Sequence, residues 1–424
     1  MITNELALFG GKKTIDYEFQ RYNSIGKEEL SAATKVIESG ALSKFLGSSG
    51  EEFYGGPKIK EFEDVAAKYF NVKHAITLNS WTSGLIAGIG AFNIEPGDEV
   101  IVPPWTMCAS ATAIINWNAI PVFADIEPDT FCIDPKSVEK LVTKRTKAIM
   151  SVDLFGQSAN IQALKKIAQK HNLQIISDSA QAPGSTINEN FTGTLTDIGG
   201  YSLNYHKHIH TGEGGILVTD NDNLAERTRL IRNHAEAVIA KHDFNNLSNM
   251  IGYNFRMGEI EASIGLEQLK KLNSLLNKRI SIADELTNGI KNLYGLKVPA
   301  VRQNCSHVYY IYGIVLDTEA IGIKRETIFE ALKAEGVSGL RQGYINIHLL
   351  PMYQQKQAYG SNHFPWSLND RNVDYSKGIC PVAENLQDNS FIGIEMCLYD
   401  YTHRDISLII RSFQKVWENL KKLK

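Results

Sequence analysis

This sequence predicts an α/β fold built on a mainly parallel sheet, followed by a smaller α+β unit. Three observations carry the prediction. From residue 27 to residue 177, helical patterns alternate with short apolar runs, the rhythm of a βαβ chain. The runs are apolar almost throughout, as strands covered on both faces are. After about residue 220 the alternation stops and a long leucine-bearing helical stretch takes over. The 424 residues suffice for one large domain and a smaller one.

The elements follow in order. Lys27–Ser39 and Ile59–Phe70 read as helices and Ala75–Leu78 as a strand. Ser83–Phe92 is a helix rich in Gly and Ala, so it can pack closely. Glu99–Val102 is a strand ending at Pro103-Pro104. Helix Ala109–Trp117, strand Pro121–Ala124, a helix starting at Ser137–Leu141 and strand Lys147–Val152 come next. Helix Asn160–His171 and strand Gln174–Ser177 complete the alternation. Leu224–Asn233 is helical, and Gly258–Ile290 reads as a spine with leucines at 266, 269, 272, 275 and 276. A smaller unit follows, with strand Val308–Val315, helix Arg325–Glu335, a strand near Phe391–Leu398 and a terminal helix. Gln354–Asp374 has little periodicity and reads as a surface loop. The expected division is a large domain over 25–275 and a small one over 276–424, with residues 1–24 packing nearby.

Charge and composition narrow the function. The 44 basic and 47 acidic side chains leave a net charge of −3, with no electrostatic footprint for nucleic acid or an anionic membrane. The basic tail Lys415–Lys424 alternates with apolar residues, as a solvated helix face does. No apolar run approaches the ~18 residues of a membrane span. Met1–Lys13 holds Glu5 and no long apolar stretch, so it does not read as a signal peptide. Five scattered cysteines, without a CxxC pair or metal-type spacing, fit free thiols in a reducing cytoplasm.

Ligands of open α/β sheets bind outside the carboxyl ends of the strands, so the chemistry is sought there. Asp178 follows strand Gln174–Ser177. It could cap the next helix, or it could face a positively charged ring nitrogen such as that of pyridoxal 5′-phosphate (PLP). Further on, Lys207 stands among Tyr205, His206 and His208, ahead of Thr211-Gly212-Glu213-Gly214-Gly215, whose glycines permit a tight turn. An acid and a Schiff-base lysine are the two partners that PLP needs. Asn79-Ser80-Trp81-Thr82-Ser83-Gly84 opens a helix with hydroxyl residues, which serve as caps and leave N–H groups for a phosphate. Ser202 offers a further hydroxyl.

Together these segments resemble the DegT/StrS-type sugar aminotransferases of the aspartate-aminotransferase fold (fold type I). The likeness runs from Leu8-Phe9-Gly10-Gly11 to the terminal helix. It includes Gly56-Pro57, Pro103-Pro104-Trp105-Thr106, Asp178-Ser179-Ala180-Gln181, Lys207 with Thr211–Gly215, Gly252–Met257 and Pro381-Val382-Ala383-Glu384. The resemblance implies a seven-stranded sheet, PLP as cofactor and Lys207 as its covalent anchor. It implies Asp178 at the ring nitrogen, Gln181 near the cofactor hydroxyl, and Thr82, Ser83 and Ser202 at the phosphate. It further implies a homodimer, in which Asn254 reaches the neighbouring subunit's cofactor phosphate. Met107 stands where the family often has the stacking aromatic, so Trp105 is the alternative stacking residue. Asp153 replaces a common histidine, and Phe45–Gly56 and Gln354–Asp374 are longer than usual, both expected near the entrance.

The implied donor is an amino acid, glutamate. The implied acceptor is a keto or aldehyde sugar, nucleotide-linked or an 8-oxo-octulosonate (Kdo-type), on the way to surface polysaccharide or lipopolysaccharide. Candidate substrate walls are Trp81, Tyr205, His206, His208, Tyr344 and His348, with Arg341 or Arg371 for a carboxylate. A PLP-dependent sugar dehydratase of the same fold would carry histidine at the lysine position. Four residues separate Ser202 from Lys207 and three separate Lys207 from Thr211, which keeps lysine in register. A non-catalytic ligand-sensing regulator need not keep both Asp178 and Lys207. Zinc on His206, His208 and His210 lacks a completing ligand.

Overall fold

The computed structural model describes residues 5–242, 244 and 246–424; the first four residues of the N-terminal segment lie outside the described residues. The first half alternates as expected. Helix α1 (Lys27–Ser39) and α2 (Pro57–Phe70) precede β1 (His74–Leu78), α3 (Trp81–Ala91), β2 (Glu99–Val102), α4 (Ala109–Asn116) and β3 (Ile120–Phe123). Then come α5 (Pro135–Leu141), β4 (Thr146–Val152), α6 (Ile161–His171) and β5 (Gln174–Asp178). A short hairpin, β6 (Thr186–Ile187) and β7 (Asn190–Phe191), leads to β8 (Ile198–Ser202) and β9 (Gly215–Thr219). After them follow α7 (Asp222–Arg232), α8 (Ala235–Val238) and the 32-residue α9 (Glu259–Ile290).

The large sheet has seven strands in the order β1-β9-β8-β5-β4-β2-β3. Only β9 runs against the others. The ends of β1, β5 and β8 therefore share one edge with the start of β9. At β1, β8 and β9 alternate residues serve opposite faces. Ile76, Ile198 and Leu217 join the main core, whereas Ala75, Tyr201, Ile216 and Val218 meet α2 and α9. Helix α3 lies close to the sheet because its small residues allow it. A Cβ at Gly88 would stand 2.7 Å from Ile176, and one at Gly90 would stand 2.4 Å from Trp117.

A four-stranded antiparallel sheet forms the second layer: β10 (Leu296–Lys297), β11 (Ile311–Leu316), β12 (Leu340–Arg341) and β13 (Phe391–Glu395), in the order β10-β11-β13-β12. Helices Arg325–Ala334 and His403–Glu418 cover it, and Leu6, Ile15 and Phe19 from the N-terminal segment join its core. The expected strand over Val308–Val315 starts late. Val308 and Tyr310 donate their N–H groups to Gly156 and Phe155, and Tyr309 has φ +49°.

The 354–374 stretch is not a loop at the entrance. Trp366 is buried and donates to the Tyr375 hydroxyl, which donates to the Pro121 carbonyl in β3. Asn369 donates to the Gly97 carbonyl, and Arg371 pairs with Glu99 at 3.0 Å. Those partners lie at the start of β2 and β3, so the stretch seals the edge opposite the site. The 45–56 segment is held by Asn233, whose amide donates to the Leu46 and Phe53 carbonyls, beside Arg256.

Candidate active site

Asp178 closes β5 with its carboxylate almost wholly buried. Oδ1 accepts the indole N–H of Trp81 at 2.8 Å and the Ala180 N–H at 3.3 Å, and Oδ2 accepts the Ser110 hydroxyl at 2.8 Å. Donors to both oxygens are what an ionised carboxylate needs when water is excluded.

Lys207 comes from the turn after β8. The turn is closed by N–H donation from Lys207 to Asn204 and from Thr211 to Leu203, and Gly212 beyond it takes φ +87°. The side chain is 7% exposed, and Nζ stands 4.3 Å from the centre of the Tyr310 ring. Among the described residues no hydrogen bond or ion pair reaches it. Burial lowers the amine to about 8 from its ordinary 10.5, while the Asp178 charge pulls the other way. Near neutral pH about a tenth of such an amine is uncharged, far more than for a solvated lysine.

The third component is the start of α3. Ser80 caps it by accepting the Ser83 N–H at 3.1 Å, and the Ser83 hydroxyl donates to Asn79 at 2.7 Å. The N–H groups of Trp81 and Thr82 have no partner within the helix and remain for an anion. Ser202 ends β8 opposite Gly215. A Cβ at Gly215 would stand 2.7 Å from the backbone of Ser80 and Trp81, so that glycine lets Ser202 and the helix start converge. An unpartnered buried amine, a buried carboxylate and a hydroxyl-lined helix start, all at one sheet edge, fit PLP. That cofactor supplies an electron sink when bound.

The remaining candidates divide. Gln181 accepts the Phe155 N–H at 2.9 Å and donates to the Tyr344 hydroxyl at 3.2 Å, which brings Tyr344 to the site. His206 is half-buried beside Tyr310, and burial, Lys207 and Arg341 lower it to about 4, so it stays neutral. Tyr205 is largely exposed, as is Met107. Asn254 sits beside Asn79 of its own chain and accepts from Arg256 Nε at 2.7 Å.

Four expectations change with the fold. Trp105 is completely buried against Phe131, Phe155 and Phe391 and donates to Gln387, so it has no face left for stacking. His208 is buried with Nε2 at the Val308 carbonyl, 3.0 Å away, which removes it from the entrance. His348 is buried on Glu384 at 3.0 Å and packs the interior. Trp81 lies at the floor with Asp178. Ser110 and Tyr310 were not singled out from the sequence: one lies inside a helix, the other in an apolar run, and neither position advertises a ligand. Among the described residues no three His, Cys, Asp or Glu side chains group as metal ligands, and no helix is long and apolar enough to cross a membrane.

Known proteins resemble this chain in sequence and fold. Residues 24–375 match the DegT/DnrJ/EryC1/StrS aminotransferase family. The spore coat polysaccharide biosynthesis protein SpsC of Bacillus subtilis is 35% identical over 351 residues, 81% of this chain and 87% of that protein. A GDP-perosamine synthase of Caulobacter vibrioides is 37% identical over 300 residues, 70% of this chain and 79% of its own. The structure of Helicobacter pylori PseC, an aminotransferase involved in pseudoaminic acid biosynthesis, superposes with a TM-score of 0.78 at 27% identity, covering 96% of this chain and all of that one. The chain therefore belongs to the DegT/DnrJ/EryC1/StrS aminotransferase family, whose members are PLP-dependent sugar aminotransferases.

Proposed function

We propose that this enzyme takes an amino group from L-glutamate and delivers it to a keto or aldehyde sugar that carries a negative charge. The acceptor is a nucleotide-linked keto sugar or a free 8-oxo-octulosonate destined for a surface polysaccharide. The observation that carries this reading is a guanidinium close to His206, the neighbour of Lys207 in the chain. Arg341, on β12, pairs with Glu395 at 2.5 Å, and its charge reaches His206, Tyr310 and Tyr344. Arg371 lies with Glu99 at the far edge of the sheet, whereas Arg341 meets Glu395 through Nε on the side of the site and is the basic group for a phosphate or carboxylate. The kinship with a GDP-perosamine synthase supports a nucleotide-linked acceptor. The enzyme works as a homodimer in which Asn254 reaches the partner's cofactor phosphate.

The chain's own residues divide the labour. Asp178 would hold the cofactor's ring nitrogen. Lys207, as a free amine, removes the donor's Cα proton and carries it across the site. Its depressed basicity suits proton transfer near neutral pH. Neutral His206 offers a ring face and a hydrogen bond to a hydroxyl-rich sugar. His206→Ala should therefore raise the KM for the sugar about tenfold and leave that for glutamate within about twofold, a difference near 1.4 kcal/mol. Steady-state kinetics with both acceptor classes checks this. Equal loss for both substrates would place His206 in the shared chemistry, and failure to aminate either class would reject the acceptor assignment.

Lys207 also predicts a pH dependence for the cofactor-free protein. Only the uncharged amine captures PLP, so the capture rate should rise with pH through a midpoint near 8 rather than 10.5. Stopped-flow mixing from pH 6 to 10 measures it; a rate still climbing in parallel with an ordinary lysine would contradict the burial argument.

A further inference from the structure

The first turn of α3 carries a side chain that the cofactor reading leaves without a role. Trp81 is 4% exposed, and its indole lies between α3 and β8 at the level of Asp178. Two glycines make the space. A Cβ at Gly84 would stand 2.4 Å from the indole and one at Gly200 would stand 2.1 Å from it. Gly200 is the β8 residue paired with Asp178 in the sheet. The ring housed there turns its only polar atom, Nε1–H, onto Asp178 Oδ1 at 2.8 Å, while Ser110 holds Oδ2 at 2.8 Å.

A carboxylate turns readily about its last torsion, because such sp³–sp² rotations have broad minima. With donors fixed on both oxygens, that freedom is lost. Oδ1 accepts from Trp81 and Ala180, whereas Oδ2 accepts from Ser110 alone and keeps a lone pair, so the carboxylate can still accept a further N–H from the open side. We propose that Trp81 is a positioning residue for the cofactor: its indole N–H, together with Ser110, fixes the Asp178 carboxylate in the orientation that accepts the N–H of the PLP ring. The inference rests on PLP dependence and not on the identity of the sugar.

A competing arrangement has the indole standing in the ring's own place, an aromatic N–H facing the same carboxylate, to be expelled when PLP enters. The two arrangements predict opposite signs for PLP affinity. Apoprotein of the wild type, Trp81→Phe and Gly84→Ala is titrated with PLP by equilibrium dialysis, and the absorbance of each holoenzyme is followed against pH. Trp81→Phe keeps the ring and deletes the donor. Gly84→Ala keeps the donor and displaces the ring, since the three nearest atoms to the added Cβ all belong to the indole.

Both variants should bind PLP about tenfold more weakly and shift the pH midpoint of the cofactor band. Their kcat should fall about tenfold, with KM for each substrate within about twofold. Tighter PLP binding by Trp81→Phe, or an unchanged affinity and midpoint, overturns the proposal. If Trp81→Phe does not fold, Gly84→Ala decides by the same two readings. Dialysis contains no sugar, so a wrong acceptor assignment would leave this result standing.

Discussion

Lys207→Ala should yield a folded protein that forms no borohydride-stable adduct with PLP and whose turnover falls by on the order of 10⁴-fold or more. The size follows from the two roles that we propose for one amine. It would anchor the cofactor covalently and would move a proton, a role that by itself contributes about 10²–10⁴-fold in enzymes. No other described lysine is buried, so no second amine shares this environment. Folding should not suffer. An amine whose value is lowered in the fold binds fewer protons there than in the unfolded chain, so stability rises with pH between about 8 and 10.5 and is lower below. Removing that amine should leave the apoprotein at least as stable as wild type at pH 7, with the gap closing towards pH 10.5. Mass spectrometry after borohydride reduction locates the adduct in wild type, and a label on any other lysine would displace Lys207 from its role.

Asp178→Asn should lower kcat by on the order of 10³-fold while the protein keeps its fold. The substitution preserves size but reverses one polar atom. Trp81 and Ser110 both donate to Asp178, and an amide offers only one acceptor oxygen for the two of them. With the amide oxygen on Trp81 the NH₂ group donates to the Ser110 hydroxyl, which can turn to accept, and with the amide reversed the NH₂ group faces the indole N–H. In either case the ring nitrogen loses the anion that keeps it protonated. Weaker PLP binding should accompany the loss. Activity within about tenfold of wild type, a difference of only about 1.4 kcal/mol in barrier, would remove Asp178 from the site.

The strand and helix alternation was legible because each element of the first half carries its own period and is bounded by turn residues. In that half the strand ends were displaced by at most one residue, whereas the strands expected at 308–315 and 391–398 each missed one end by three. β8 and β9 were not legible. Gly199 and Gly200 in β8 are poor strand formers, and their reason lies elsewhere: a Cβ at Gly199 would strike the Gly193 carbonyl at 1.8 Å, and one at Gly200 would strike the Trp81 indole. The 354–374 stretch misled for a related cause. Its aromatic residues are spaced without helical or strand period, yet Trp366 and Tyr375 pack one beneath the other against β3.

The sequence by itself determined the fold class and the family, and it marked the two residues to which we assign the chemistry. Asp178 and Lys207 carry local signatures: a carboxylate at a strand end, and a lysine before a glycine-rich turn. Only the tertiary structure decided which neighbours serve that pair. Trp105, His208 and His348 had the right chemical types and lie near the right strands, but burial assigns them to packing. Ser110, Tyr310 and Trp81 reach Asp178 or Lys207 from positions 68, 103 and 97 residues away from those partners, two in helices and one just ahead of a strand. The physical reason is that a side chain's type fixes what it can do, whereas its partners depend on chain segments brought together by the sheet, and no local pattern records that meeting.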